Sequence, residues 1–276
     1  VSESRETGAA LRARFPERGW LSVFDFDGTL AEIVARPEDA RLDPELEPLV
    51  ERLRAERGTV AVISGRDRGA LAGLIPAGWL AVGSYGLEGP PGWPAGWTLP
   101  PGFDAVAARA RLSAATAAVR ELVADGAAGA GLEGAVLEEK PWGLSLHFRR
   151  SGAMPEPAAM ARLQALAARH HLELDRGRMV VELRPEGSPD KGWAVRALAE
   201  RLEPAALLYF GDDLGDLPAF AATRALGRAL PAAAVGIASA ETPAAELEAA
   251  CDLVLPDRGA LASLLTALSG AGGQRS

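Results

Sequence analysis

The 276-residue sequence predicts an α/β protein: a parallel-sheet core interrupted by an inserted α+β module. Three observations predict it. Short, continuous apolar runs alternate with helix-length segments toward both ends of the chain, which is how buried parallel strands and their crossover helices read. Between them the rhythm changes to helix, hairpin, helix, hairpin. A stretch dense in Pro, Gly and Trp at 89–102 (GPPGWPAGWTLPPG) separates the two patterns and reads as a loop or linker.

Residues 1–17 are charged and alanine-rich and read as a helix or a loose arm. Leu21–Phe26 (LSVFDF) is a buried strand ending in carboxylates. Asp43–Gly58, with leucines at 46, 49 and 53, is a helix stopped by its glycine. Thr59–Ile63 is a β-branched second strand, and Leu80–Val82 a third. The module then supplies a helix over Asp104–Asp125, strands at Ala135–Lys140 and Leu144–Arg149, a helix over Pro157–His170, and strands at His171–Asp175 and Met179–Arg184. After Pro185 the α/β rhythm resumes with a helix over 191–202, a strand at Leu207–Phe210 and further helices. The expected organisation is an arm (1–17), a core (18–102 with 185–276) and an insert (103–184).

The 48 % of hydrophobic residues is ample for a core, although much of it is alanine. A net charge of −8 argues against a nucleic-acid partner, whose phosphates it would repel. It leaves open a small anionic substrate met by a local cluster of cations. The single cysteine, Cys251, rules out an intrachain disulfide and reads as a small packing residue. The start of the sequence lacks the pattern of a signal peptide, and no segment is apolar enough to span a membrane. These features lead to the expectation of a cytoplasmic monomer with no membrane partner.

Four short segments at strand ends or helix starts carry chemistry. Asp25-Phe26-Asp27-Gly28-Thr29 closes the first strand. Two carboxylates so close repel unless a cation or a shared proton relieves them. An ordinary Asp-Gly turn is the plain alternative. Ser64-Gly65-Arg66 closes the second strand and offers a hydroxyl, backbone N–H groups and a guanidinium to a phosphate, or simply turns the chain. Lys191 opens a helix, a poor place for a cation unless an anion is near; the alternative is solvated surface. Asp212, Asp213 and Asp216 crowd the end of the strand Leu207–Phe210, a donor set for a hard divalent ion or a solvated acidic turn. There is no Walker-type phosphate loop and no dinucleotide-binding glycine pattern. His147, His170 and His171 lack zinc-site spacing.

In this order the four segments resemble the haloacid dehalogenase-type phosphatases, whose fold is a doubly wound parallel sheet with an inserted cap. The resemblance implies Asp25 as nucleophile and Asp27 as general acid and then base. It implies Mg2+ held by the Asp25 carboxylate, the Asp27 backbone carbonyl and Asp212, with Asp213 and Asp216 behind them. Ser64, Gly65 and Lys191 would bind the transferred phosphoryl group. Within the insert, Gly134-x-x-x-Glu138-x-Lys140, His147-Phe148-Arg149 and Glu182-x-Arg184-Pro185 are similar to cap motifs of trehalose-6-phosphate phosphatases. The implied substrate is that sugar phosphate, with Arg66, Glu138, Lys140, His147, Arg149 and Glu182 as its contacts. The last motif departs from the family's usual Gly-Asp-Asp-x-Thr-Asp-Glu, having Gly215 for threonine and Leu217 for glutamate.

Overall fold

The computed structural model describes residues 2–34, 36–93, 97–124, 132, 134–148, 150–177, 179–239 and 242–270, with the side chains of 2–6 outside the description. The chain divides into two compact units, Val1–Thr98 with Pro189–Ser276, and Leu99–Ser188.

In chain order the first unit begins with α1 (Ser2–Arg14), β1 (Trp20–Phe24), α2 (Leu46–Arg57), β2 (Gly58–Ile63), α3 (Arg68–Ala72) and β3 (Leu80–Val82). The second unit is α4 (Ala105–Ala124), β4 (Val136–Lys140), β5 (Gly143–His147), α5 (Pro157–Arg169), β6 (Leu172–Gly177) and β7 (Val180–Pro185). The first unit resumes with α6 (Lys191–Leu202), β8 (Ala206–Gly211), α7 (Leu217–Leu226), β9 (Ala232–Ile237), α8 (Ala244–Leu247), β10 (Leu253–Leu255) and α9 (Arg258–Ser269).

The first unit is built on a six-stranded sheet in the order β10-β9-β8-β1-β2-β3, every pairing parallel. Alternate residues of the central strands serve opposite faces. Trp20, Phe24, Val62, Leu208 and Phe210 pack with Leu46, Val50 and Leu53 of α2 and with Leu261, Leu264 and Leu265 of α9. Leu21, Val23, Ile63, Leu207 and Tyr209 pack on the other face with Val195 and Leu198 of α6 and with Phe220 of α7. A sheet covered on both faces explains why β1 and β8 are buried at every residue rather than alternately. This is the doubly wound core the sequence predicts. Residues 2–14 are a helix packed on α9 and belong to the first unit.

The second unit is a four-stranded antiparallel sheet in the order β4-β5-β7-β6. One face is apolar: Leu144, Leu146, Val181 and Leu183 pack with Leu112 and Val119 of α4 and with Met160 and Leu163 of α5. The registers Glu138↔Ser145 and Ser145↔Glu182 put the polar residues together on the other face. Among the described residues, no helix is long and apolar enough to cross a membrane.

Two strands escape the sequence reading. β9 (AAAVGI) lacks the bulky branched residues by which a strand is usually recognised, and β10 is only three residues long. Both are held by pairing within the sheet. The first strand stops at Phe24, so Asp25 and Asp27 lie just past it.

Candidate active site

Asp25 leaves β1 with its backbone N–H still bonded to the Phe210 carbonyl of β8, at 2.8 Å. That bond continues the sheet ladder by one residue and fixes where the carboxylate starts. Its side chain is 6 % exposed and faces Lys191, whose Nζ lies 2.9 Å from Asp25 Oδ1. Lys191 is the first residue of α6, behind the N-cap Asp190, whose side chain accepts the Trp193 N–H at 2.7 Å. The ammonium is itself buried, and it donates to Asp216 Oδ1 at 2.7 Å.

Asp216 organises the neighbourhood. Its Oδ1 also accepts the Tyr209 hydroxyl at 2.6 Å, and its Oδ2 accepts the backbone N–H groups of Asp212 and Asp213 at 3.0 and 3.2 Å. A carboxylate offers about four acceptor directions, and here four donors take them. Asp213 and Asp216 also form a reciprocal capping box around the turn Leu214–Asp216. Asp212 accepts from the Thr29 hydroxyl at 3.0 Å, so Thr29 ties the first strand-end loop to the last one rather than only holding its own turn. Gly28 lies between them with φ +94°, and a Cβ there would come within 2.0 Å of the Asp212 carboxylate. Only glycine accepts both the conformation and the approach.

One ammonium serves this whole group of carboxyls. Burial pushes the Asp25 carboxyl well above its usual range; Lys191 pulls it back, while Asp216, Asp212 and Asp213 push it further up. Burial, with Asp216 and Asp213 adding to it, pushes Asp212 up to about 8. Burial works against the Lys191 charge, but Asp216 and Asp25 outweigh it and hold the ammonium protonated. A site this short of positive charge suits an added divalent cation. One oxygen each from Asp25, Asp212 and Asp216 lies within 4.8 Å of the others. With Asp216 committed to four donors, Asp25 and Asp212 are the carboxylates suited to hold such an ion, and each has a second oxygen beyond its contact with Lys191 or Thr29.

Ser64 is buried at the end of β2, and its Oγ accepts the Arg66 N–H at 3.2 Å. Gly65 precedes Arg66 in this turn, where a Cβ would meet the Tyr85 ring at 2.5 Å. Arg66 grips Asp27 with two bonds, Nε to Oδ2 at 2.8 Å and Nη2 to Oδ1 at 2.6 Å. Its guanidinium also lies over the Phe26 ring, 5.5 Å from the centroid. The Asp27 side chain is 39 % exposed, far more than that of Asp25.

In the second unit the predicted polar residues share one strand face. Lys140 Nζ and Ser145 Oγ both donate to Glu182 Oε1, at 2.9 and 3.0 Å. His147 Nε2 is 2.8 Å from Glu138 Oε2, and that hydrogen bond holds the Glu138 carboxyl below its ordinary range. Arg149 lies outside the described residues. The sequence reading missed Tyr209, which it left inside an apolar strand, and Ser145, which the strand register alone brings to Glu182.

A trehalose-phosphatase family model matches residues 23–81 and 119–247. An uncharacterized glycosyl hydrolase of Mycobacterium tuberculosis is 37 % identical over 82 % of this chain, which covers 17 % of that protein. The trehalose-phosphate phosphatase of the same organism is 34 % identical over 71 % of this chain, and the chain spans about half (49 %) of its length. Among solved structures, the C-terminal domain of a C. albicans trehalose-6-phosphate phosphatase superposes with a TM-score of 0.73 at 21 % identity, over 96 % of each chain. That likeness speaks for the fold: a parallel-sheet core with a separate antiparallel-sheet unit. The family match takes in well over half of the sequence, including the end of β1 and all of β2 and β8, and on it the chain belongs to the trehalose-phosphatase family.

Proposed function

We propose that the chain hydrolyses trehalose 6-phosphate to trehalose and phosphate through a phosphoryl group carried on Asp25. The observation that supports this most is the buried pair of Asp25 and Lys191 at the end of β1, an anionic nucleophile beside a cation able to meet the phosphoryl oxygens. In the first step an Asp25 oxygen bonds to phosphorus, the bond from phosphorus to the sugar oxygen breaks, and Asp27 gives that oxygen its proton. In the second step Asp27 takes a proton from water, the water oxygen bonds to phosphorus, and the bond from phosphorus to the Asp25 oxygen breaks, which regenerates the Asp25 carboxylate and frees inorganic phosphate. Splitting the transfer this way replaces one hard displacement by two easier ones.

Lys191, the Ser64 hydroxyl and the Gly65 N–H are the groups proposed to hold the phosphoryl oxygens. Arg66 is proposed to turn from Asp27 to the substrate phosphate, which frees Asp27 to reach the leaving oxygen. Magnesium is proposed to be held by Asp25 and Asp212, whose oxygens are close enough to share an ion, together with the Asp27 carbonyl, while Asp213 and Asp216 brace the turn. When bound it supplies neutralisation of phosphoryl charge. Glu138, Lys140, His147, Arg149 and Glu182 are proposed to recognise the sugar hydroxyls. The acidic net charge supports the accompanying reading that nucleic acid is not a partner; the proposal includes a monomer acting in the cytoplasm on a small molecule, with no membrane partner.

One feature favours a second reading, a different sugar phosphate as substrate. Leu217 stands where the related motif has glutamate and is partly exposed. A panel of sugar phosphates, assayed for phosphate release with magnesium and after chelation, tests both. Preferential, magnesium-dependent turnover of trehalose 6-phosphate is expected. Preference for another sugar phosphate would replace the first reading by the second, and no turnover of any would overturn both.

A further inference from the structure

Tyr209 is one of two tyrosines in the chain, and it sits on the fourth residue of β8 with its side chain fully buried. Its ring packs edge-on against Phe220 of α7, with centroids 5.6 Å apart. Packing alone would be served equally by phenylalanine. The hydroxyl, however, donates to the same Asp216 oxygen that receives Lys191, at 2.6 Å against 2.7 Å. One oxygen thus faces two donors, one neutral and one charged, and the charged donor is also 2.9 Å from Asp25.

We infer that Tyr209 is a positioning residue for the phosphoryl-binding lysine, its hydroxyl sharing Asp216 Oδ1 so that the Lys191 ammonium is held between Asp216 and Asp25. This rests on the proposed roles of Asp25 and Lys191. The physical reasoning is directional. Without the hydroxyl, Asp216 Oδ1 has an unfilled acceptor direction in a dry setting, and the mobile ammonium is the donor able to fill it. Lys191 would then move toward Asp216 and away from Asp25, where the phosphoryl oxygens arrive. Asp216 Oδ2 stays fixed by the Asp212 and Asp213 N–H groups, so the carboxylate cannot simply follow.

The test is Tyr209→Phe, which keeps the ring and removes one oxygen. Two readouts are taken on the full chain: affinity for inorganic phosphate by calorimetry in saturating magnesium, and kcat/KM for trehalose 6-phosphate. Both should fall about tenfold or more, the scale of one hydrogen bond to a charged group. A double-mutant cycle with Asp216→Ala, which removes the acceptor, separates positioning from packing. If Tyr209 acts through Asp216, its substitution has little further effect on phosphate affinity in the Ala background; a packing role would give additive losses. Unchanged phosphate affinity in Tyr209→Phe, or additivity in the cycle, overturns the inference. If the unsubstituted chain turns over no sugar phosphate, the functional proposal fails, while the phosphate-affinity arm still decides the role of Tyr209. Should Tyr209→Phe not fold, fluorotyrosine labelling of the unsubstituted chain gives two fluorine resonances, from Tyr85 and Tyr209. The Tyr209 resonance, assigned with Tyr85→Phe, shifts on adding inorganic phosphate if the inference holds. A Tyr209 resonance indifferent to phosphate overturns it.

Discussion

Replacing Lys191 by methionine keeps the length and apolar stem of the side chain and removes its charge. The ammonium is 4 % exposed, and its two carboxylate partners are 6 % and 0 % exposed at 2.9 and 2.7 Å. Solvent therefore does little to screen the pair or to take over from a missing partner. Breaking a buried ion pair from one side costs roughly 3–5 kcal/mol, because the remaining charge is left unpaired. Against a total stability of about 5–15 kcal/mol, that is a loss a folded domain can survive and an experiment can resolve. Hydrogen exchange of the β1 and β8 amides, measured in chelator, reports the opening free energy of the first unit by itself. A decrease of about 3–5 kcal/mol is expected. Added magnesium should recover part of it, since a cation held by Asp25 and Asp212 takes over some of the neutralisation. A decrease below about 1 kcal/mol in chelator, the range of an exposed surface pair, would refute the view that this lysine is the electrostatic counterweight of the site.

Three further outcomes are expected. Asp25→Asn should fold normally and lose several orders of magnitude in kcat, on the scale of removing a central catalytic group; retention of a tenth of the activity would exclude Asp25 as nucleophile. Gly28→Ala should lower kcat/KM at least about tenfold and weaken magnesium activation, because the added methyl meets the Asp212 carboxylate and the backbone must hold a left-handed conformation; unchanged magnesium activation would show that Asp212 yields without consequence. Glu138→Ala and Lys140→Ala should each cost about ten- to a hundredfold in kcat/KM with trehalose 6-phosphate, the worth of a charged hydrogen bond, while sparing an aryl phosphate; equal losses on both substrates would make the polar strand face structural.

The elements that position the site were legible because each is marked locally. The helix predicted over 191–202 is α6 to the residue, since Asp190 is a strong N-cap and the apolar spacing runs on without interruption. The strand ends before Ser64 and Asp212 are readable because apolar runs stop there, whereas Phe26 beyond Asp25 extends the first strand in the sequence reading past its true end at Phe24. What could not be read were partners that only tertiary structure chooses. Nothing in the pattern of Leu207–Phe210 separates Tyr209, which bonds a carboxylate, from its neighbours, which do not. The bidentate grip of Arg66 on Asp27 joins two segments read separately, and the sequence reading gave them different tasks. Asp216 looked like one more acidic residue in a cluster. Its rank as the acceptor of four donors comes from the turn Leu214–Asp216 folding back onto the end of β8.

The order of the six strands also sets when the site can come into being. β1 lies between β2, which follows it closely in the chain, and β8, so Thr29 and Asp212 meet across a separation of 183 residues. In a chain growing from its N-terminus, residues 99–188 form a contiguous unit whose strands find all their partners within it. At that stage the first unit still lacks β8, β9 and β10, half of its sheet. Closing so long a loop is a late and slow event compared with local hairpins. Asp25 therefore leaves the ribosome long before the lysine and carboxylates that surround it. A chain cut short ahead of residue 191 contains a complete second unit and an inert aspartate.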